Sequence, residues 1–106
     1  MAVREQLSFR ALADPTRRDI LHLLAHNELT IAQVADNFEM TRAAVKKHLS
    51  ILNEGELITI RTSGRTKINA LNPHGMRRVA DWFSYFDKFW DERLATLKTE
   101  IEKDLQ

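Results

Sequence analysis

The chain has 106 residues, 43% hydrophobic and 29% charged, with a net charge of +1. That is the composition of one soluble domain, and no apolar run approaches the ~20 residues needed to span a bilayer. The absence of cysteine excludes disulfides, thiolate metal ligands and cysteine redox sensing.

The opening Met-Ala-Val-Arg-Glu-Gln-Leu lacks a signal-peptide hydrophobic region, which predicts a cytoplasmic protein. Residues 4–13 then read as a short amphipathic helix with Leu7, Phe9, Ala11 and Leu12 as its apolar positions. Asp14-Pro15-Thr16 restarts the helix, the aspartate as cap and the proline in the first turn, where a missing N–H costs nothing. Ile20, Leu21, Leu23 and Leu24 form its buried stripe, and Asn27 to Leu29 suggest a tight corner. Thr30 caps the next helix, with Gln33 in capping-box position and Ile31, Val34, Ala35 and Phe38 facing inward. Thr41 caps another. There Val45, Leu49 and Leu52 recur at i, i+4 and i+7, flanked by Ala44 and His48. Gly55 ends that helix. A β-branched run from Leu57, a turn at Thr62-Ser63-Gly64-Arg65 and a return over Thr66–Leu71 predict a hairpin.

Asn72-Pro73 starts the last helix, and no proline or glycine after Gly75 interrupts it before about residue 103. Thirty residues of helix would be ~45 Å long, longer than so small a domain is wide. Phe83, Phe86, Trp90, Leu94, Leu97 and Ile101 make one apolar stripe, and Trp82, Tyr85 and Phe89 a second. One stripe can cover the domain's own core, while the other calls for a second copy of the chain.

The charge is unevenly spread. Residues 1–40 carry four Lys/Arg against six Asp/Glu, residues 41–67 six against two, and residues 68–106 six against seven. The positive excess falls on the helix after Thr41 and on the hairpin, where Arg61, Arg65 and Lys67 gather. On that helix Arg42, Ala43, Lys46, Lys47 and Ser50 share the face opposite the apolar stripe, with no carboxylate among them. A merely solvated face usually mixes both signs. Two short helices, the second cationic outside, followed by a hairpin wing, are a device for the DNA major groove. The expected fold is therefore mainly α with a small β-hairpin. It is a single winged helix-turn-helix domain over 1–106, with the helix-turn-helix at about 30–53, the wing at about 57–71, and a long C-terminal dimerisation helix at about 73–103.

On these blocks the chain resembles the ArsR-type winged-helix transcriptional repressors. Phe9 to Leu21 is similar to the family's opening block, Thr30–Phe38 to its first motif helix, and Met40–Leu52 to its recognition helix. Gly55-Glu-Leu-Ile and Arg61-Thr-Ser-Gly-Arg65 resemble its helix exit and wing, and the aromatic last helix resembles the metal-independent autorepressor branch. The resemblance implies a homodimeric repressor, with long N- and C-terminal dimerisation helices, that binds a palindromic operator through helix 41–53 and wing 61–67. It places DNA contacts at Thr41, Arg42, Ala43, Lys46, Lys47, Ser50, Arg61 and Arg65. It places the dimer interface at Leu7, Trp82, Phe83, Phe86, Phe89, Trp90, Leu94 and Leu97. The family commonly has a small hydroxyl residue where this chain has Lys46, so no operator sequence carries over.

No metal or other cofactor is expected. Family metal sensors carry a Cys-x-Cys pair where this chain reads Glu28-Leu-Thr-Ile-Ala32. Asp87 and Asp91 lie one turn apart without a histidine to join them, and His22 and His26 alone would be a weak pair. Catalysis is not expected either, because the chain has no nucleophile–base pair, glycine-rich phosphate loop or H-E-x-x-H. The expected partners are double-stranded operator DNA, a second copy of the chain, and an unidentified small-molecule or protein effector, with no membrane. The rival reading is a winged-helix protein-interaction module that binds no DNA.

Overall fold

The computed structural model describes residues 3–105, so Met1 and Ala2 of the opening segment, and Gln106, lie outside the described residues. Helix α1 (Val3–Leu12) turns sharply into α2 (Pro15–His26). The corner is made as its residues dictate: the Asp14 carboxylate accepts from the Arg17 backbone N–H at 3.1 Å, and Pro15 takes the first helical position. Helix α1 ends without a glycine, so its last carbonyls need other donors. The Arg17 side chain donates to Ala11 O (2.8 Å) and Arg10 O (3.0 Å), and Arg18 to Leu12 O (2.8 Å).

Next come β1 (Leu29–Thr30), α3 (Ile31–Ala35), α4 (Arg42–Glu54), β2 (Ile58–Ser63) and β3 (Thr66–Leu71). The Thr30–Gln33 capping box forms in full. The sheet has three antiparallel strands in the order β1-β3-β2. Its hairpin closes with Ser63 opposite Thr66, and Gly64 at φ 62° takes the first of two loop positions, as a type II′ turn requires. Helices α5 (Pro73–Ser84) and α6 (Asp87–Asp104) complete the chain. Ala11 of α1, Ile20, Leu21 and Leu24 of α2, Val34 of α3 and Val45, Leu49 and Leu52 of α4 make the core, closed below by Leu57 and Ile58.

The structure departs from expectation at four places. Leu29–Thr30 is a strand as well as a corner and cap, because its backbone pairs with Asn69 and Ile68, a long-range partner that local pattern does not announce. Helix α3 stops at Ala35, and Phe38 packs on the core from the turn that follows. The first helix is ten residues, not a long one.

The last helix, expected unbroken over 73–103, is two helices. At the break Phe86 has φ −96° and ψ 0°, and its N–H bonds Phe83 O (3.0 Å), three residues back rather than four. The Ser84 hydroxyl donates to Ala80 O (2.9 Å), and the Trp82 and Phe86 rings pack at 5.0 Å across the joint.

Candidate nucleic-acid interface

Helix α4 is held from both ends. Thr41 Oγ1 accepts from the Ala44 N–H at 3.1 Å, so the first turn is capped while the hydroxyl proton stays free to donate. Val45, Leu49 and Leu52 are fully buried, which fixes the roll of the helix about its axis. Arg42, Ala43, Lys46, Lys47 and Ser50 are consequently all exposed on one side, as is Thr41 at the tip. The first turn carries no acidic side chain, leaving positive charge beside the positive end of the helix dipole. Among the described residues Arg42, Lys46, Lys47, Arg65 and Lys67 enter no ion pair.

The wing stands beside this face. Lys46 of α4 converges with Arg65 and Lys67 of the hairpin over Thr30, Ile31 and Ala32, around an open groove of about 350 Å³. Arg61 is placed differently from the other candidate contacts. It reaches across the sheet to Glu28 at 2.6 Å, in an exposed pair that ties β2 to the segment before β1. The hydrogen bond, and then the charge, of Arg61 hold the Glu28 carboxyl below its ordinary value, and Glu28 raises Arg61. Arg61 is thus already engaged, whereas Arg65 is not.

Arg17 was missed by sequence reasoning. Its side chain is only 12% exposed, and its guanidinium joins three elements: it donates to the two α1 carbonyls, stands 3.9 Å from Asp14, and lies 3.3 Å from His48 Nδ1 on α4. Since arginine only donates, His48 Nδ1 is the acceptor, and the ring has a positioning role under α4 rather than a groove-facing one. The detectable signal was two arginines following a helix that ends without a glycine. The N–H of Arg17 also holds the Asp14 carboxyl below its ordinary value, opposed by burial and helped by the Arg17 charge.

On the far side, Phe9 of α1 meets Trp82 (5.1 Å between ring centres) and Phe83 (6.4 Å) of α5 edge to face. The sequence-predicted interface residues lie along this side and onto α6. Leu7 and Phe86 are partly buried in the protomer, while Phe83, Phe89, Trp90, Leu94 and Leu97 are exposed, and Trp82 is 38% exposed. Tyr85, Ile101 and Leu105 extend the exposed apolar surface. No residue of α6 is buried.

A metal donor set is thin. The chain has no cysteine, His22, His26, Asp87 and Asp91 are exposed, and no three His, Asp or Glu gather among the described residues. Among those residues no helix is long and apolar enough to cross a membrane.

Comparison with known proteins agrees with this geometry. The family described as bacterial regulatory protein, arsR family, matches residues 14–59, from the α2 cap into β2. The chain is 33% identical over 97 residues to the HTH-type transcriptional regulator Rv2034 of Mycobacterium tuberculosis, covering 92% of this chain and 88% of that one. It is 32% identical over 78 residues to the transcriptional repressor SdpR of Bacillus subtilis, covering 74% and 87%. The solved homodimeric winged helix-turn-helix DNA-binding domain of a possible ArsR-family transcriptional regulator from Mycobacterium bovis superposes with a TM-score of 0.64, at 26% identity over 86% of this chain and 82% of that one. The chain therefore belongs to the arsR family of bacterial regulatory proteins, as a winged helix-turn-helix transcriptional regulator.

Proposed function

We propose that the protein is a homodimeric repressor that binds a palindromic operator, with helix 41–53 in the major groove and wing 61–67 on the flanking backbone. One observation carries this reading: over Arg42–Ser50 the outward face of α4 is cationic with no carboxylate, the helix's one acid, Glu54, standing at its far end beside Arg10 (3.9 Å), and this face is continuous with the wing cations. Lys46, Lys47 and Ser50 donate to base edges, and Ala43 offers a methyl group to thymine. Thr41, Arg42 and Arg65 donate to phosphates. Arg61 joins them by exchanging Glu28 for a phosphate.

Dimerisation through Leu7, Trp82, Phe83, Phe86, Phe89, Trp90, Leu94 and Leu97 is supported by the extent of exposed aromatic surface, which is rare on monomers. Repression accords with the role of the SdpR relative and dimerisation with the homodimeric Mycobacterium bovis domain. The repressor works in the cytoplasm without a metal or catalytic step, and the aromatic face is where an effector molecule or protein would act.

The test is selection of bound sequences from a random DNA pool by the purified protein, followed by anisotropy titration. The reading expects a palindrome with half-sites about one helical turn, ~34 Å, apart. Enrichment of no sequence over the pool would overturn it and favour a protein-interaction module.

A further inference from the structure

The exit of α4 contains a residue in an unusual conformation. Glu56 has φ 58°, the only positive φ outside glycine among the described residues. It occupies the left-handed position that closes α4. The Glu56 N–H bonds Asn53 O (3.0 Å) and the Leu57 N–H bonds Leu52 O (3.0 Å), the paired bonds of a Schellman motif. Glycine is the usual occupant, and a side chain persists there only where its surroundings hold it.

Those surroundings come from two other helices. The Glu56 carboxylate pairs with Arg4 Nε of α1 (3.5 Å) and, more closely, with Arg78 of α5. Arg78 Nε is buried without a hydrogen-bond partner, which leaves Glu56 as that guanidinium's one bonded partner among the described residues. The Glu56 carbonyl in turn meets α5 through Gly75, where a Cβ would lie 1.7 Å from that oxygen. One residue before, Gly55 O accepts from the buried Ser8 hydroxyl of α1 at 2.8 Å. Thus α1 and α5, whose partly buried Phe9 and exposed Trp82 and Phe83 rings pack into the aromatic face, grip the end of the helix that carries Lys46 and Lys47.

We infer that Glu56 is a positioning residue that fixes the angle between the aromatic dimer platform and α4, and so the separation of the two α4 helices in the dimer. The inference rests on the operator-binding reading. A glycine would suit the backbone better, so the carboxylate is kept for its two arginines and not for the turn. Because Glu56 touches neither the DNA face nor the aromatic face, its loss should leave both surfaces chemically intact and alter only their relation.

The experiment compares wild-type protein with Glu56→Gly, which relaxes the backbone, and Glu56→Gln, which keeps the backbone demand and removes the charge. Each is titrated against the selected operator and against the same operator with one or two base pairs inserted between half-sites. Sedimentation and thermal unfolding are followed in parallel. Both variants should remain folded dimers, with Glu56→Gly melting at or above the wild-type temperature. Both should bind the native spacing about tenfold more weakly and lose a similar factor of discrimination against the altered spacings. Unchanged spacing discrimination in both variants overturns the positioning role while leaving the operator reading in place. Failure of wild-type protein to prefer any DNA sequence overturns both.

Discussion

Helix α4, 13 residues long, hides Val45, Leu49 and Leu52 within its own protomer and turns charge outward. Helix α6, 18 residues long, buries nothing and presents Trp90, Leu94, Leu97 and Ile101 outside. Both are amphipathic, so the periodic pattern that makes each a helix does not tell what each faces. The difference lies in the chemistry of the face left over. A cationic remainder is stable in water and available to phosphates, whereas an aromatic and aliphatic remainder is stable only when covered. On the proposed function the first is the surface for nucleic acid and the second the surface for protein.

This contrast is broken most severely at the buried side of α4. Leu52 is fully buried, and Leu52→Ala should cost about 2–5 kcal/mol by lost transfer energy and the cavity left behind. Leu94, 62% exposed, should by contrast change little when truncated in protein dilute enough to be monomeric. Denaturant melts at low concentration compare the two directly, and a Leu94→Ala loss as large as that of Leu52→Ala would mean that α6 is packed within the protomer.

The same contrast reappears on dimerisation. Trp90 is 58% exposed in the protomer, and Trp90→Asp places a charge where an apolar partner is expected. A central interface aromatic is worth about 2–4 kcal/mol, so the dimer dissociation constant should rise by at least thirtyfold. Analytical ultracentrifugation reads this as a shift to monomer at micromolar concentration. A dimer of unaltered affinity would move the interface off α6 and onto the Phe9–Trp82–Phe83 cluster alone.

What the sequence announces is largely what short-range chemistry decides. Asp14, Thr30, Thr41 and Asn72 each cap the helix they precede, and the spacing of Val45, Leu49 and Leu52 sets which side of α4 faces out. What stays hidden depends on distant partners. The strand at Leu29–Thr30 exists because Asn69 and Ile68 lie beside it, and Arg17 is buried because α1 ends nearby with open carbonyls. The helix break at Tyr85–Phe86 has neither proline nor glycine to mark it, and the Trp82 and Phe86 rings pack across it. Glu56 is the least legible of all, since sequence rules place glycine, not glutamate, at a left-handed turn. Among the DNA-facing candidates the exposed face of α4 was legible as a set. The engagement of Arg61 by Glu28 across the sheet was not.

A finer test concerns the cationic face itself. Lys47 and Lys88 are both exposed lysines on helices, but Lys88 lies on α6 at 4.0 Å from Glu92, apart from the cationic face of α4. Lys47→Ala should weaken operator binding by about 1–3 kcal/mol, and Lys88→Ala should leave it unaltered. Titrations over a range of salt separate base from phosphate contact. A base-reading Lys47 relaxes sequence preference, and a phosphate-binding one lowers the salt slope by about one unit. Equal losses for the two lysines would mean that net charge alone, and not the α4 face, drives binding.

The smallest expected effect lies at the α1–α2 corner that supports α4 through Arg17. Asp14 caps α2 as a carboxylate, and the Arg17 N–H holds its folded pKa below the ordinary aspartate range. A carboxyl depressed by folding contributes stability that is fully present above its unfolded pKa and is lost as pH falls through the folded one. Between neutral pH and about pH 5 the corner should therefore be indifferent to pH, and its contribution should fade below the unfolded value. Asp14→Asn keeps a side-chain oxygen for the cap, and asparagine caps about as well as aspartate, so denaturant midpoints at pH 7 should nearly coincide. Below pH 4 the wild-type protein should lose more stability than the variant, because only aspartate must take up a proton there. Asp14→Ala removes the acceptor altogether and should cost about 0.5–2 kcal/mol at neutral pH. If the Asp14→Asn midpoint falls as far as that of Asp14→Ala at pH 7, the charge beside Arg17, and not the hydrogen bond to its backbone, is what secures the corner.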